Sequence, residues 1–107
     1  MICVSEAELK IIGDIVSRLA PDCDVLAFGS RYHKKAKEYS DLDLAFVGRE
    51  KLGLKRCLQI EDAFAESDLP FRVDVLDYRA VSPEFRAVID GGNERIFRRR
   101  GHDESAV

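Results

Sequence analysis

Two short apolar runs, residues 25–28 and 42–47, most constrain what this chain can fold into. Asp41 directly precedes the second run, and Asp43 is its second residue. Residues two apart in a strand point to the same face, so we expect the two carboxylates to lie side by side. Carboxylates this close repel each other unless a cation lies between them. The pattern therefore predicts two strands and a divalent cation, best matched by Mg²⁺, which prefers oxygen ligands and commonly joins protein carboxylates to substrate phosphates.

The residues after the first apolar run are of the types that bind an anion such as phosphate. Gly29 lets the backbone approach a ligand closely, and Ser30 lies where a helix can begin, whose free N–H groups attract phosphate. Ser30 could also be a plain helix cap. Arg31 is the best candidate for a side-chain phosphate contact because it directly follows the Gly-Ser pair. A phosphate-binding turn beside paired carboxylates indicates a nucleotide-handling site. The ten residues between the pair and Asp41 hold five that can be cationic: Arg31, His33, Lys34, Lys35 and Lys37.

A Gly-Ser pair, ten residues and then Asp-x-Asp resemble the signature of the DNA polymerase β-like nucleotidyltransferases. The short chain and the run Ser40-Asp-Leu-Asp-Leu44 are similar to the minimal nucleotidyltransferases of bacterial and archaeal two-gene pairs. Members of that family have a third metal-binding carboxylate on a later strand, and Asp74 lies at the matching place. The resemblance covers about residues 5–97. One departure is Lys34, which stands where many members have a glycine.

The resemblance implies transfer of a nucleoside monophosphate, AMP from ATP, to a hydroxyl acceptor with release of pyrophosphate. Two Mg²⁺ ions would be held by three carboxylates that are also the catalytic residues: Asp41, Asp43 and Asp74. Of these, Asp74 is the candidate general base because it would lie nearest the incoming hydroxyl. The nucleotide phosphates would be bound by three residues: Gly29, Ser30 and Arg31.

The resemblance also implies a separately encoded helical partner, because only about 33 residues follow Asp74, too few for an acceptor domain. In the family this partner is a HEPN-type toxin, and some members adenylylate one of its tyrosines and so act as antitoxins. In other pairs the helical protein is a substrate-binding subunit for a small-molecule acceptor. A third hypothesis is a catalytically silent module that masks its partner, which the lysine at position 34 leaves open.

The acidic residues also have purely structural interpretations. Asp41 and Asp43 could face water at the end of a strand. An unpaired Asp74 inside an apolar strand would cost several kcal/mol, so its partner is either a metal ion or an arginine such as Arg72 or Arg79. Asp77 falls on the opposite face of that strand and is expected to be structural.

Composition favours one folded domain, since 107 residues with 46% hydrophobic content can bury a core. A net charge of −3 argues against general nucleic-acid binding. The three cysteines, Cys3, Cys23 and Cys57, contain no close pair, which suits reduced thiols and offers no zinc site. The absence of a membrane-length apolar run or a signal-peptide pattern predicts a cytoplasmic protein.

The apolar periodicity predicts alternating helices and strands, and hence an α/β fold with a small mixed sheet of three or four strands flanked by helices. We expect a nucleotidyltransferase domain over residues 1–97 and a flexible tail over 98–107. The predicted helices cover residues 5–20, 31–38, 54–67 and 82–90, and the predicted strands cover residues 25–28, 42–47, 71–76 and 96–97.

Overall fold

The computed structural model describes residues 4–29 and 40–100. The predicted helix over residues 31–38 lies outside the described residues. The α/β fold class is confirmed, with the last strand twice as long as expected. The described elements are α1 (Glu6–Leu19), β1 (Asp24–Phe28), β2 (Leu42–Val47), α2 (Leu54–Ala65), β3 (Val73–Asp77), α3 (Pro83–Asp90) and β4 (Glu94–Phe97).

The four strands form one mixed sheet in the order β3-β2-β1-β4. β1 pairs antiparallel with both β2 and β4, whereas β2 and β3 run parallel. A parallel pair needs a crossover connection, which α2 provides. In this register Phe28 at the end of β1 lies opposite Asp43 on β2, and Asp43 lies opposite Asp74 on β3. Three strands therefore bring the sequence motif together at one end of the sheet.

The larger core lies on one face of the sheet, beneath α1 and α2. Helix α1 begins at a capping box in which Ser5 accepts a hydrogen bond from the Glu8 amide and Glu8 accepts one from the Ser5 amide. Alternate residues of β1, β2 and β3 point into this core, as expected for a sheet that is covered differently on its two faces. The largest fully buried side chains here are Ile12, Leu42, Leu44, Phe46 and Ile60.

The second face of the sheet carries a smaller cluster beneath α3, built from Phe28, Ala45 and Ile89. Ser82 caps α3 by accepting a hydrogen bond from an amide in its first turn, and Pro83 occupies the first helical position. Ile89 is fully buried and anchors the helix to the sheet. Because the side chains of β2 and β3 alternate between faces, Asp43 and Asp74 project on the same side as α3.

The residues after β4 run back along the connection between α1 and β1. The Arg99 amide donates to Oδ1 of Asp24 over 2.8 Å, and the Arg100 amide donates to the Pro21 carbonyl over 2.7 Å. Backbone hydrogen bonds thus tie residues 99 and 100 to the domain, although we placed the start of a tail at residue 98. The domain boundary stays a prediction, and residues 101–107 lie outside the described residues. No helix in the described part of the chain is long and apolar enough to cross a lipid bilayer.

Candidate functional site

Two carboxylates on neighbouring strands form the centre of the site. The parallel register of β2 and β3 places Asp43 beside Asp74. Burial of Asp43, followed by the charge of Asp74 and hydrogen bonding to its side chain, raises the pKa of Asp43 to about 6. A carboxyl that is hard to ionise because it is partly buried and lies against a second carboxylate is a group whose charge a cation would stabilise.

Gly29 is fitted directly against Asp43. Its φ is +79°, a conformation that side-chain-bearing residues rarely adopt. A Cβ at this position would also overlap with Oδ2 of Asp43. Glycine is therefore required at position 29 for two reasons: the positive φ of the backbone, and the lack of space for a side chain beside Asp43. The glycine of the motif has a direct structural cause, because the turn after β1 and the carboxylate of β2 occupy adjoining space.

Asp74 has an arginine partner. Nε of Arg72 lies 3.2 Å from Oδ1 of Asp74, as expected for residues two apart on one face of a strand. This arginine is one of the structural partners that the sequence suggested. Arg79, the other, donates through Nε to the carbonyl of Gly48 instead. Arg72 is 75% exposed, so its head group can leave Asp74 for solvent at little cost, and the ion pair does not preclude a metal ion.

The third predicted carboxylate, Asp41, is exposed at the residue before β2. It lies close enough for its charge to contribute to the raised pKa of Asp43. Within residues 4–29 and 40–100, no three His, Cys, Asp or Glu side chains already form a group that could hold a metal ion. The structure thus brings together two of the three predicted ligands. Ser30 and Arg31, the other predicted phosphate contacts, lie outside the described residues, as does Lys34.

The donor set nevertheless fits Mg²⁺. This ion is usually bound by one or two protein carboxylates and completes its shell with water and substrate phosphates. Asp43 and Asp74 supply such a pair on the face of the sheet beneath α3, and the charge of Asp41 also acts on Asp43. A cation between these carboxylates would relieve their mutual repulsion.

A cleft of about 470 Å³ opens over this pair, between the sheet and α3. One wall is polar, formed by Asp43 and Asp74. The other is apolar, formed by Phe28, Phe85 and Val88. Phe85 and Val88 remain 38% and 60% exposed. An eight-residue helix over a narrow sheet can bury only a narrow stripe, which here is centred on Ile89.

Glu61 of α2 also lines the cleft, and no sequence pattern had indicated it. It lies on a helix assigned to the opposite face and reaches the cleft because β3 is the outermost strand. Asp77, in contrast, is buried and structural, as expected. It accepts hydrogen bonds from the amides of Leu52, over 2.7 Å, and Arg79, over 3.2 Å.

Comparison with known proteins agrees with the fold and the motif. A model of the family described as polymerase beta, nucleotidyltransferase matches residues 22–102. The chain is 48% identical over 86 residues to the probable protein adenylyltransferase MntA of Haemophilus influenzae, covering 80% of this chain and 75% of that protein.

Two solved structures support the fold. A chain from a toxin–antitoxin complex with AMP-PNP superimposes with a TM-score of 0.74 at 20% identity, over 91% of this chain and 78% of that one. A chain from a complex of the tri-AMPylated Shewanella oneidensis HEPN toxin with MNT antitoxin gives a TM-score of 0.68 at 20% identity, over 94% and 77%. The resemblance drawn from the Gly-Ser and Asp-x-Asp motif is confirmed, and this chain belongs to the polymerase β nucleotidyltransferase family.

Proposed function

We propose that this chain is an Mg²⁺-dependent protein adenylyltransferase, which transfers AMP from ATP to a hydroxyl group of a separate, helical HEPN-type protein. The observation that carries the proposal is the register of β2 and β3, which sets Asp43 against Asp74 with Gly29 fitted beside them. The relative from Haemophilus influenzae, named a probable protein adenylyltransferase, supports this choice of reaction. The fold shared with toxin–antitoxin complexes supports the choice of partner.

The residues have separate roles in this proposal. Asp41, Asp43 and Asp74 would hold Mg²⁺, which when bound neutralises charge on the α-phosphate and orients the reacting groups. The turn at Gly29 would receive the β- and γ-phosphates through backbone N–H groups. The predicted contacts of Ser30 and Arg31 would complete this phosphate site.

The transfer step needs only ATP and the acceptor hydroxyl as reactants. The oxygen of the acceptor hydroxyl attacks the α-phosphorus in line, and a new O–P bond forms. The bond from the α-phosphorus to the oxygen bridging it to the β-phosphate breaks, and pyrophosphate leaves. Asp74 accepts the hydroxyl proton, since it lies on the outermost strand, where an acceptor can approach from solvent.

The acceptor that we favour is a tyrosine hydroxyl of the HEPN-type partner, which would make this chain an antitoxin. The positioning of two substrates supplies much of the rate in such transfers, so a chain whose cleft is open on one side needs its partner to hold the acceptor. A small molecule held by a helical substrate-binding subunit is the second candidate. Both share the nucleotide site and differ only in the acceptor.

The test is incubation of the purified chain with Mg²⁺ and ATP, with and without the helical protein encoded beside it. Label from the α-phosphate should appear on the partner, and label from the γ-phosphate should not. Asp41→Asn and Asp74→Asn should abolish labelling, whereas Asp68→Asn, which changes an exposed aspartate in the connection between α2 and β3, should leave it unchanged.

Complex formation without labelling would overturn protein adenylylation. Consumption of ATP to pyrophosphate by that same complex, when a small hydroxyl compound is added, would assign the small-molecule acceptor. A stable complex that never consumes ATP would assign the masking role instead.

A further inference from the structure

We propose that Phe85 and Val88, together the α3 wall, hold the nucleobase of the nucleoside triphosphate. This inference rests on the proposed function and adds a subsite that positions the nucleoside. Phe85 and Val88 belong to the cleft that contains Asp43 and Asp74, so one ligand can contact both walls. The cleft has a polar and an apolar wall. A nucleoside triphosphate likewise has a metal-binding polyphosphate at one end and a flat, largely apolar ring at the other.

The α3 wall is rigid yet left open to solvent. Ser82 caps the helix through the Phe85 amide, and Ile89 fixes the helix to the sheet. The ring of Phe85 packs edge-to-face on Phe28, with centroids 6.0 Å apart and planes at 78°. This contact fixes the orientation of the aromatic ring without burying it. Exposed large hydrophobic side chains in the described part of the chain are Leu54, Leu58, Phe85 and Val88.

The position of the wall favours a nucleobase over a side chain of the partner. If the α-phosphate lies at Asp43 and Asp74, the ribose and base are covalently tied to it and must occupy the same cleft. The acceptor, in contrast, must approach in line from the side opposite the leaving pyrophosphate. The cleft volume of about 470 Å³ also falls within the range of about 300–1,000 Å³ typical of small-molecule sites.

The chemistry of the wall predicts how the base is selected. Stacking on an aromatic side chain tolerates any base, since every base has a π-face. Phe85 and Val88 carry no side-chain hydrogen-bonding group that could distinguish the edges of adenine and guanine. The wall should therefore favour purines over pyrimidines through the larger area of the ring, and it should discriminate little between ATP and GTP.

The experiment compares ATP with inorganic tripolyphosphate, which has the phosphates and lacks the nucleoside. Calorimetry with Mg²⁺ on the whole chain should show that Phe85→Ala weakens ATP binding at least about fivefold, the lower end for loss of one stacked base. Tripolyphosphate affinity should stay the same. Phe85→Tyr should restore ATP binding because it keeps the ring. Leu58→Ala, which removes an exposed side chain of α2 outside the cleft, should change neither affinity.

Other outcomes overturn the inference. If Phe85→Ala weakens ATP and tripolyphosphate equally, the ring supports the scaffold and holds no base. If it leaves ATP binding unchanged but prevents labelling of the partner, the wall docks the acceptor. Both results leave the proposed function standing. Wild-type protein that does not bind ATP with Mg²⁺ would instead overturn the proposed function together with this inference.

Discussion

Asp43→Asn should stabilise the metal-free protein at neutral pH, although it removes a residue assigned to the catalytic centre. Burial of Asp43 and the adjacent charge of Asp74 raise the pKa of Asp43 to about 6, above the ordinary value of 3.8. The folded state therefore holds a proton that the unfolded chain releases, so the stability of the wild-type protein falls as pH rises from about 4 to about 7. Asparagine is uncharged, and its N–H can donate to Asp74.

The size of the effect follows from the two pKa values. The difference between 3.8 and about 6 corresponds to about 3 kcal/mol at 1.36 kcal/mol for each tenfold step. Asp43 opens onto a solvent-filled cleft, and screening there reduces the value to about 1–2 kcal/mol. The variant should thus gain about 1–2 kcal/mol over the wild type near pH 8 and very little near pH 4.

Urea unfolding in EDTA at these two pH values measures the difference. Asp77→Asn is the matched control, because that carboxylate is buried and accepts two backbone amides. Its loss should destabilise the fold by about 1–3 kcal/mol. The same Asp43→Asn protein should lose the rise in melting temperature that Mg²⁺ and ATP give the wild type. Destabilisation of Asp43→Asn at pH 8 would mean that Asp43 holds the fold together, and the site would be wrongly assigned.

Three further predictions concern other residues of the fold and the site. Gly29→Ala should lower the free energy of unfolding by about 1–2 kcal/mol through the positive φ alone, and by more through overlap of the new Cβ with Asp43. In a double-mutant cycle, Asp43→Ala should remove only the loss that comes from this overlap. Additive losses in the two single variants would contradict the contact. Arg72→Gln should tighten Mg²⁺ binding up to about fivefold, because an exposed ion pair with Asp74 is worth about 0–1 kcal/mol. Weaker Mg²⁺ binding by calorimetry would show that the arginine does not compete with the metal ion for Asp74. Burial raises the pKa of Cys23 to about 11, so less of the thiol is present as the reactive thiolate. Alkylation of Cys23 at pH 8, measured by peptide mass spectrometry, should therefore be at least about 100 times slower in the native than in the unfolded protein.

The sequence was sufficient for the parts of the fold that depend on local pattern. Strands β1 and β2 follow from short apolar runs, and α3 follows from Ser82 and Pro83 at its start. The meeting of Asp43 and Asp74 was also predictable, because the motif of a known family fixes the order of the strands. In each case a few neighbouring residues, or one motif, determine the result.

Features that depend on how elements pack were not predictable in the same way. Asp74 pairs with Arg72 and not with Arg79, because Arg79 instead donates a hydrogen bond to the Gly48 carbonyl. Exposure of the α3 wall depends on how much of a short helix the sheet can cover. Glu61 reaches the cleft because β3 is an edge strand, and no pattern within α2 indicates this.

The two aspartates of β3 explain how one strand can serve both the fold and the site. Asp77 faces the covered side of the sheet, where backbone amides satisfy its charge, so it is stabilising without any ligand. Asp74 faces the cleft, where its partners are an exposed arginine and a second carboxylate. Three positions apart, the residues lie on opposite faces, and a change at one leaves the hydrogen bonds of the other in place. The repulsion at the cleft is therefore a cost that the covered face can offset, and it leaves Asp43 and Asp74 disposed to take up a cation.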